Sequence, residues 1–179
     1  DITERKQTEE ALRQSEEKFK SLANLLPQII FETDASGNLT YVNQQAFTVM
    51  GYADGEQVIG MPSLTFHVPE ERAKVIGNIQ RKLAGHPVGN PEYTMQRKDG
   101  STFPALVYSN PILVDGKPAG LRGIIVDITE RKQAEAALQA SNNRISQLLE
   151  TTDQGIYGLD IEGRCTFINQ SGLKMLGYS

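Results

Sequence analysis

Residues 92–128 read EYTMQRKDGSTFPALVYSNPILVDGKPAGLRGIIVDI. This stretch contains three segments that are rich in β-branched, aromatic and aliphatic residues, namely 92–98, 102–113 and 119–128. The segments are joined by turn sequences that contain Asp99-Gly100 and Asp115-Gly116. An Asp-Gly pair between two apolar runs is typical of a hairpin turn. The stretch therefore predicts three strands of an antiparallel meander.

The second and third of these strands have apolar residues at consecutive positions, in ALVY at 105–108 and in GIIV at 123–126. A strand with apolar side chains on both sides is usually buried on both faces. Helices between residues 43 and 84 can cover one face, and this region includes an amphipathic stretch with Val75, Ile76, Ile79 and Leu83. We expect the other face to be covered by the N-terminal helix or by a second subunit.

A second pair of strands is predicted upstream of the meander. Residues 29–33 and 39–42 flank the turn sequence DASGN at 34–38, which is the pattern of a hairpin. Asn43 is suited to cap a short helix that ends at Met50, because its side-chain oxygen can accept a hydrogen bond from the first turn.

The chain contains an internal repeat. The sequence DITERKQ at 1–7 recurs at 127–133, and at this offset 21 of 53 positions are identical between residues 1–53 and 127–179. Composition alone would give about three identities. The repeat indicates a duplicated domain whose second copy stops partway through. Because the first residue is Asp and not Met, we expect the chain to be an excerpt of a longer protein.

Residues 3–25 lack Gly and Pro, which predicts a helix that ends before Pro27. Spacings of three and four separate its apolar positions, and the second copy repeats this seam: Leu12, Ser15, Phe19, Leu22 and Leu26, then Leu138, Ser141, Ile145, Leu148 and Thr152. Such a seam is typical of a helix that packs against a partner helix. It spans about two heptads, so two interpretations stay open: a dimer seam, or a helix that packs on its own domain.

Composition limits the classes of partner. The chain has 18 Lys and Arg against 22 Asp and Glu, with no basic stripe, so we expect neither nucleic acid binding nor direct membrane contact. Cys165 is the single cysteine, which excludes a disulfide within the chain and a multi-cysteine zinc site. No apolar run approaches the roughly 18 residues of a membrane span, and we expect a cytoplasmic location.

The sequence offers no residue pattern typical of an active site. Glu16-Glu17 and Glu70-Glu71 are paired acids, but adjacent residues on a helix diverge by about 100° and are expected to be solvated. Gly51, Gly55 and Gly60 lack the spacing and the Lys-Ser/Thr ending of a phosphate-binding loop. We therefore expect a binding or relay module and not an enzyme.

Four motifs together resemble the PAS domain of bacterial sensory proteins, also called the sensory box or PAS/PAC domain: GNLTYVN at 37–43, GY at 51–52, RKDGS at 97–101 and GIIVDITERK at 123–132. The resemblance implies an α+β fold, in which a five-stranded antiparallel sheet has helices on one face and a pocket between them. It also implies linker helices that pass a signal to a histidine kinase of a two-component system or to a diguanylate cyclase. Such an output enzyme would lie outside these residues.

The resemblance divides the chain into four segments. We expect an N-terminal linker helix at 1–26, a complete PAS domain at 27–128, a second linker helix at 129–152 and the N-terminal part of a truncated second PAS domain at 153–179.

The resemblance also implies that neither haem nor flavin is bound. In haem-binding PAS domains the ligating histidine lies about two turns into the helix after Pro69, where this chain has KVI at 74–76. His67 resembles a polar turn residue of the family and His86 is a loop residue, so we expect no metal ligand. Flavin-binding relatives use a cysteine in the helical region, where this chain has none. Cys165 is expected to be a small buried residue of the partial copy.

Two hypotheses of function stay open. In the first, a pocket binds an unidentified small ligand, and its occupancy shifts the sheet. In the second, which we favour, the same side chains fill the core, and the domain is a dimerising spacer that relays a conformational change between helices. The side chains concerned are Phe31, Phe47, Met50, Phe66, Ile79, Tyr93, Met95, Tyr108 and Ile124.

The relay hypothesis places the function at the junction between the last strand and the second linker helix, at Asp127, Thr129, Glu130 and Arg131. Asp127 can cap the helix while Glu130 reaches back to its N–H, and Asp127 and Arg131 are spaced to pair across one turn. We expect a homodimer through the linker helices, with downstream domains of the same chain as recipients of the signal.

Overall fold

The computed structural model describes residues 2–178, with side chains described for residues 5–178. Two compact units meet in sequence between Thr129 and Glu130. The helices and strands are, in order, α1 (Ile2–Leu25), β1 (Ile29–Asp34), β2 (Leu39–Val42), α2 (Gln44–Met50), α3 (Arg72–Leu83), β3 (Glu92–Gln96), β4 (Thr102–Val114), β5 (Lys117–Asp127), α4 (Thr129–Thr151), β6 (Tyr157–Leu159), β7 (Cys165–Ile168) and α5 (Gln170–Met175). Two short 3-10 helices, Ser63–Phe66 and Pro69–Glu71, precede α3.

The first unit contains a five-stranded antiparallel sheet with the strand order β2-β1-β5-β4-β3. β5 is the central strand, since Ile125 pairs with Ile29 on one side and with Val107 on the other. The predicted hairpin is present as β1 and β2, and the predicted meander is present as β3, β4 and β5. A short turn connects the strands of each consecutive pair. The predicted α+β class and five-stranded sheet are confirmed.

The core lies on one face of this sheet, under α2 and α3. Along β4 and β5 the odd-numbered side chains turn to this inner face, and Ala105, Val107 and Ile125 are buried there. α3 contributes Val75, which is buried, and Ile79, which packs against the same cluster. Alternation along the strands therefore directs one set of side chains into the core.

The outer face of the sheet is only partly covered. Leu106, Ile124 and Val126 are half-buried and Tyr108 is 38% exposed, so the apolar runs are not buried on both faces within the first unit. Within the single chain the outer face is not fully buried, and its covering by a second subunit stays a prediction. The outer face therefore keeps apolar surface that another protein surface could cover.

The helix predicted at 3–25 is present as α1, and its last turns contact the rest of the first unit. Ala23 is buried, and the ring of Phe19 lies 5.6 Å from the ring of Tyr41. The predicted seam of α1 is otherwise exposed at Leu12 and Leu22. The helix thus combines a short contact with its own domain and an uncovered apolar seam.

The second unit repeats the beginning of the first. It contains α4, the two-stranded antiparallel sheet β6-β7 and α5. Most of its apolar side chains are exposed, among them Tyr157, Ile161 and Met175. Cys165 is also exposed, which corrects the expectation that it is buried, because β3, β4 and β5 have no counterpart in this unit.

Among residues 2–178, no helix combines the length and the apolar character that crossing a membrane requires.

Candidate functional site

A cavity lies between the inner face of the sheet and the helices α2 and α3. The space open to water molecules in it is about 80 Å³. This is room for roughly five to eight waters. Seven of the nine side chains expected to line a pocket lie in its wall: Phe31, Phe47, Met50, Phe66, Ile79, Tyr93 and Met95. That these side chains bind a ligand stays a prediction.

The other two expected lining residues, Tyr108 and Ile124, are not in the wall. They are cross-strand partners on the outer face of the sheet, and their neighbours Val107 and Ile125 line the cavity instead. Successive side chains of a strand point to opposite faces. Because both strands are apolar at consecutive positions, the sequence did not show which set points inward.

Lys82 is a charged residue of the wall that the sequence interpretation missed. It is only 8% exposed, and its ammonium donates to the carbonyl oxygen of Ser109 at 2.8 Å and to the Ser109 hydroxyl at 2.9 Å. Burial lowers the pKa of this lysine, because the ammonium loses hydration. A signal was available, since Val75, Ile79 and Lys82 recur at spacings of four and three and therefore share one face of α3.

His67 lies in the expected turn, but it is buried and not a surface residue of that turn. Its Nδ1 lies 3.1 Å from the carbonyl oxygen of Ser63, and its ring meets the ring of Tyr93 edge-on at 5.4 Å. Burial is the main reason that the pKa of His67 is lowered. A bridge between His67 and Met95 of β3 holds this turn against the sheet, which explains the burial.

Two further polar groups belong to this side of the domain: Asn78, which lines the cavity, and Glu71, which lies outside the wall. The Asn78 amide, one turn before Lys82, donates to the Tyr93 hydroxyl at 2.8 Å. The Glu71 carboxylate accepts from the N–H of Thr94 at 2.7 Å, so the expectation that it is simply solvated is wrong. Its hydrogen bond ties the turn before α3 to β3.

The described side chains do not form a metal centre. Among residues 5–178, no group of three or more His, Cys, Asp or Glu side chains is placed to hold a metal ion. His86 is exposed. Val75, at the helix position considered for a haem ligand, is buried in the cavity wall and has no atom that could bind iron.

The junction after the complete domain is built by Asp127, the last residue of β5. Its carboxylate accepts from the N–H of Thr129 at 2.8 Å and from the Thr129 hydroxyl at 2.5 Å. α4 begins at Thr129, so this carboxylate serves orphan donors at the start of the helix. Arg131 has the Glu135 carboxylate at 3.8 Å. The reciprocal contact by Glu130 and the pairing of Arg131 with Asp127 stay predictions.

Arg97 connects this junction to the cavity. Its Nε donates to the carbonyl oxygen of Val49 in α2 at 2.9 Å, and its guanidinium lies 3.9 Å from the Asp127 carboxylate. The guanidinium also stacks over the Phe103 ring at 4.3 Å. One side chain therefore contacts a helix of the cavity wall and Asp127, whose carboxylate is bonded to the first residue of α4. The sequence interpretation missed it.

Asn43 precedes α2 as predicted, but its side chain does not cap that helix. Its oxygen accepts from the N–H of Ile30 at 2.9 Å, and its nitrogen donates to the carbonyl oxygens of Ala23 and Gln28. The first N–H of α2 is instead satisfied by the Asn24 side chain at 2.9 Å. Asn43 therefore joins the end of α1 to the start of β1.

Comparison with protein families gives two matches. The family described as "PAS fold" matches residues 23–133, and the family described as "PAS domain" matches residues 143–179.

The chain is 29% identical to sporulation kinase C of Bacillus subtilis over 186 residues, which covers 98% of this chain and 43% of that protein. It is 25% identical to the protein named "Probable diguanylate cyclase DgcE" of Escherichia coli over 180 residues, which covers all of this chain and 16% of that protein. The chain thus spans less than half the length of these curated relatives.

Among solved structures, the PAS domain of a protein from Colwellia psychrerythraea superposes with a TM-score of 0.58 at 25% identity. The match covers 64% of this chain and 97% of that chain.

Proposed function

The chain belongs to the PAS domain family, and from this premise we propose that it is a signal-relay module of a bacterial signalling protein. The complete domain would change the position of α4, and α4 would pass the change to a histidine kinase or diguanylate cyclase elsewhere in the same protein. The names of the relatives, a kinase and a cyclase, support these two output classes. We assign no reaction to the module itself.

The observation that supports the relay best is the contact set of Asp127. The last strand of the complete domain ends at Asp127, and α4 begins two residues later with its first turn bonded to the Asp127 carboxylate. Arg97 holds the same carboxylate and a carbonyl oxygen of α2. A displacement of α2 or of β5 therefore acts directly on the start of α4.

The other end of α4 is bonded to the second copy of the repeat. Asn169 donates to the carbonyl oxygen of Leu149, two residues before the helix ends at Thr151. Glu150 accepts from the N–H of Gln170 at 2.9 Å. Each end of this helix is thus hydrogen-bonded to a PAS copy, as a helix that transmits movement between two copies requires.

The relay predicts a dependence on helical phase, to be measured in the full-length protein. Deleting one residue between Gln133 and Ser141 rotates all downstream residues by about 100°, whereas deleting seven nearly restores the phase. We expect the first deletion to alter kinase or cyclase output and the second to preserve it largely. Equal output from both deletions would mean that α4 is only a tether.

We also propose that the module forms a homodimer through its linker helices. The seam of α4 supports this, because Leu138, Ile145 and Leu148 are all more than half exposed in the single chain. The change Leu148→Glu should shift the chain toward monomer in sedimentation equilibrium. The control Gln147→Glu adds the same charge at the adjacent exposed position and should leave the association unchanged. A monomeric wild-type chain would contradict the dimer.

A second candidate function is supported by the cavity itself. A closed core needs no internal space, whereas this domain has about 80 Å³ beside a buried lysine and a buried histidine. A ligand in this space would contact α2 and α3 and could shift their position on the sheet. We therefore retain a small-molecule sensor as the alternative, with no haem or flavin. Mass spectrometry of material that co-purifies with the chain tests it.

The proposed location is the cytoplasm, where a kinase or cyclase output has access to nucleoside triphosphates. The segments proposed from the sequence, namely 1–26, 27–128, 129–152 and 153–179, stay the proposed division of the chain into linkers and PAS copies.

A further inference from the structure

Lys82 places a positive charge in the cavity wall, and none of the described side chains is an acidic partner for it. Both of its hydrogen-bond acceptors belong to Ser109, so two of its three N–H groups are used. No carboxylate of residues 5–178 lies within 4.0 Å of the Lys82 ammonium. Buried charges in proteins are usually paired, because an isolated charge loses more hydration energy than neutral acceptors return.

The remaining cavity wall contains no acidic side chain. Its polar groups are neutral: hydroxyl groups, the Asn78 amide and the buried imidazole of His67. Ser109 and the last turn of α3 supply partial negative charge near the ammonium. They stabilise the lysine without neutralising it. An anion in the cavity would therefore meet one cation and no like charge.

The rest of the wall is apolar and includes aromatic rings. Aliphatic and aromatic side chains from α2, α3 and the sheet form most of the surface, among them Phe31, Phe47, Met50 and Phe66. A ligand that fits this wall has one anionic group and an apolar body. A polyanion such as a nucleotide would leave further charges without partners.

We propose that the cavity binds a small monocarboxylic acid, with its carboxylate on the Lys82 ammonium and its aliphatic or aromatic body against the apolar wall. This inference rests on the second candidate function, the small-molecule sensor. The carboxylate accepts the third N–H of Lys82, and the Asn78 side chain lies one helical turn away on the same face of α3. Binding is reversible and involves no covalent step.

The test uses the 179-residue chain and two pairs of probes, benzoate with benzamide and hexanoate with hexanamide. The members of each pair have nearly the same shape and differ in charge. Isothermal titration calorimetry should show that at least one acid binds ten-fold or more tightly than its amide. In the wild-type chain, that acid should also shift the backbone amide resonances of Asn78 and Ser109.

Two variants locate the charge. Lys82→Met keeps the side-chain volume and removes the ammonium, so the preference for the acid over the amide should disappear. Arg81→Met removes a positive charge at the adjacent, exposed position of α3 and should keep the preference. Circular dichroism checks that both variants are folded, and Lys82→Gln replaces the first variant if it is not.

Three results would overturn the inference: neither acid binds to the wild-type chain, acid and amide bind equally, or Lys82→Met binds the acid as tightly as the wild type does. Equal binding of acid and amide would still be consistent with the small-molecule sensor, but with an uncharged ligand. Failure of all four probes would reject this ligand class and leave the relay function untouched, because the deletions in α4 test the relay without any ligand.

Discussion

Asn43 and Asn169, which lie 126 residues apart, make the same three hydrogen bonds in the two copies of the repeat. Each side-chain nitrogen donates to carbonyl oxygens 20 and 15 residues earlier, and each oxygen accepts from the N–H 13 residues earlier. Only an amide side chain offers two donors and an acceptor in this geometry. The repeated unit therefore includes the attachment of a helix to the PAS copy that follows it.

The first prediction concerns this attachment. Asn43 is 1% exposed, and Asn43→Ala leaves the N–H of Ile30 and the carbonyl oxygens of Ala23 and Gln28 without their partner. We expect the free energy of unfolding to fall by about 2 to 4 kcal/mol in urea denaturation. Amide exchange in the last turn of α1 should become faster.

The control for Asn43→Ala is Asn90→Ala. Asn90 is exposed, so its replacement should change stability by less than about 0.5 kcal/mol. Equal stability of the two variants would show that the hydrogen bonds of Asn43 are replaced by water at no cost.

The second prediction concerns the pH dependence of stability. Burial, with a smaller contribution from Arg72, lowers the pKa of His67, while the Ser63 carbonyl and Glu71 oppose the shift. The unfolded chain then binds a proton near pH 6.5 that the folded chain binds only at lower pH. The stability contribution is complete above about pH 6.5 and is lost as the pH falls toward the folded-state pKa. His67→Gln should remove this part of the pH dependence.

The measurement for His67 is the free energy of unfolding between about pH 7.5 and pH 5.5. The wild type should lose more stability than His67→Gln as the pH falls below the unfolded-state pKa, because only the wild type has this histidine to protonate on unfolding. His86→Gln changes an exposed histidine and should follow the wild type. An NMR titration in which the His67 imidazole has a pKa at or above 6.5 would contradict this account.

The third prediction concerns a close approach of two strands. A Cβ atom at Gly120 would lie 1.8 Å from the carbonyl oxygen of Thr33, so Gly120→Ala forces β1 and β5 apart. We expect a loss of about 1 to 3 kcal/mol or more in the free energy of unfolding. Gly77 is in α3 and has open space around its Cα, so Gly77→Ala should stabilise by up to about 1 kcal/mol. Equal effects of the two variants would contradict the steric explanation.

The fourth prediction separates the two contacts of Asp127. Asp127→Ala removes the acceptor for Thr129 and should cost about 1 kcal/mol at the helix start, with uncoupled output in the full-length protein. Asp127→Asn keeps an acceptor oxygen but loses the charge that faces Arg97. We expect amide exchange at the first turn of α4 to increase in the first variant and to stay near wild type in the second. An equal increase in amide exchange in both variants would mean that the charge contact with Arg97, and not the hydrogen bond to Thr129, stabilises the start of α4.

The fifth prediction is that the purified chain is colourless. It contains no Trp, so near-ultraviolet absorption should come from its Tyr and Phe residues. The chain is incubated with haem or with flavin and then desalted. It should then show no absorption near 400 or 450 nm, the approximate regions of haem and flavin absorption. A persistent band would contradict the assignment of the cavity to a ligand without colour.

The sequence alone was sufficient for the elements whose determinants are local. Asp-Gly pairs between apolar runs predicted the meander to within two residues at each strand end, because a turn sequence sets strand pairing over short distances. The 126-residue repeat predicted a second copy, and β6, β7 and α5 correspond to β1, β2 and α2. The PAS motifs also predicted the family. The family match at residues 23–133, which contains all four motifs, confirms this prediction.

Only the tertiary structure decided which side chains form the site. Tyr108 and Ile124 belong to the same consecutive apolar runs as Val107 and Ile125, so the side of the sheet on which each lies depends on strand pairing and on where α2 and α3 lie. Lys82 is inward because α3 turns the face of Val75 toward the sheet. Arg97 meets Asp127 across 30 residues of sequence. Such contacts are set by packing between distant segments, and a local pattern shows which side chains share a face but not what that face packs against.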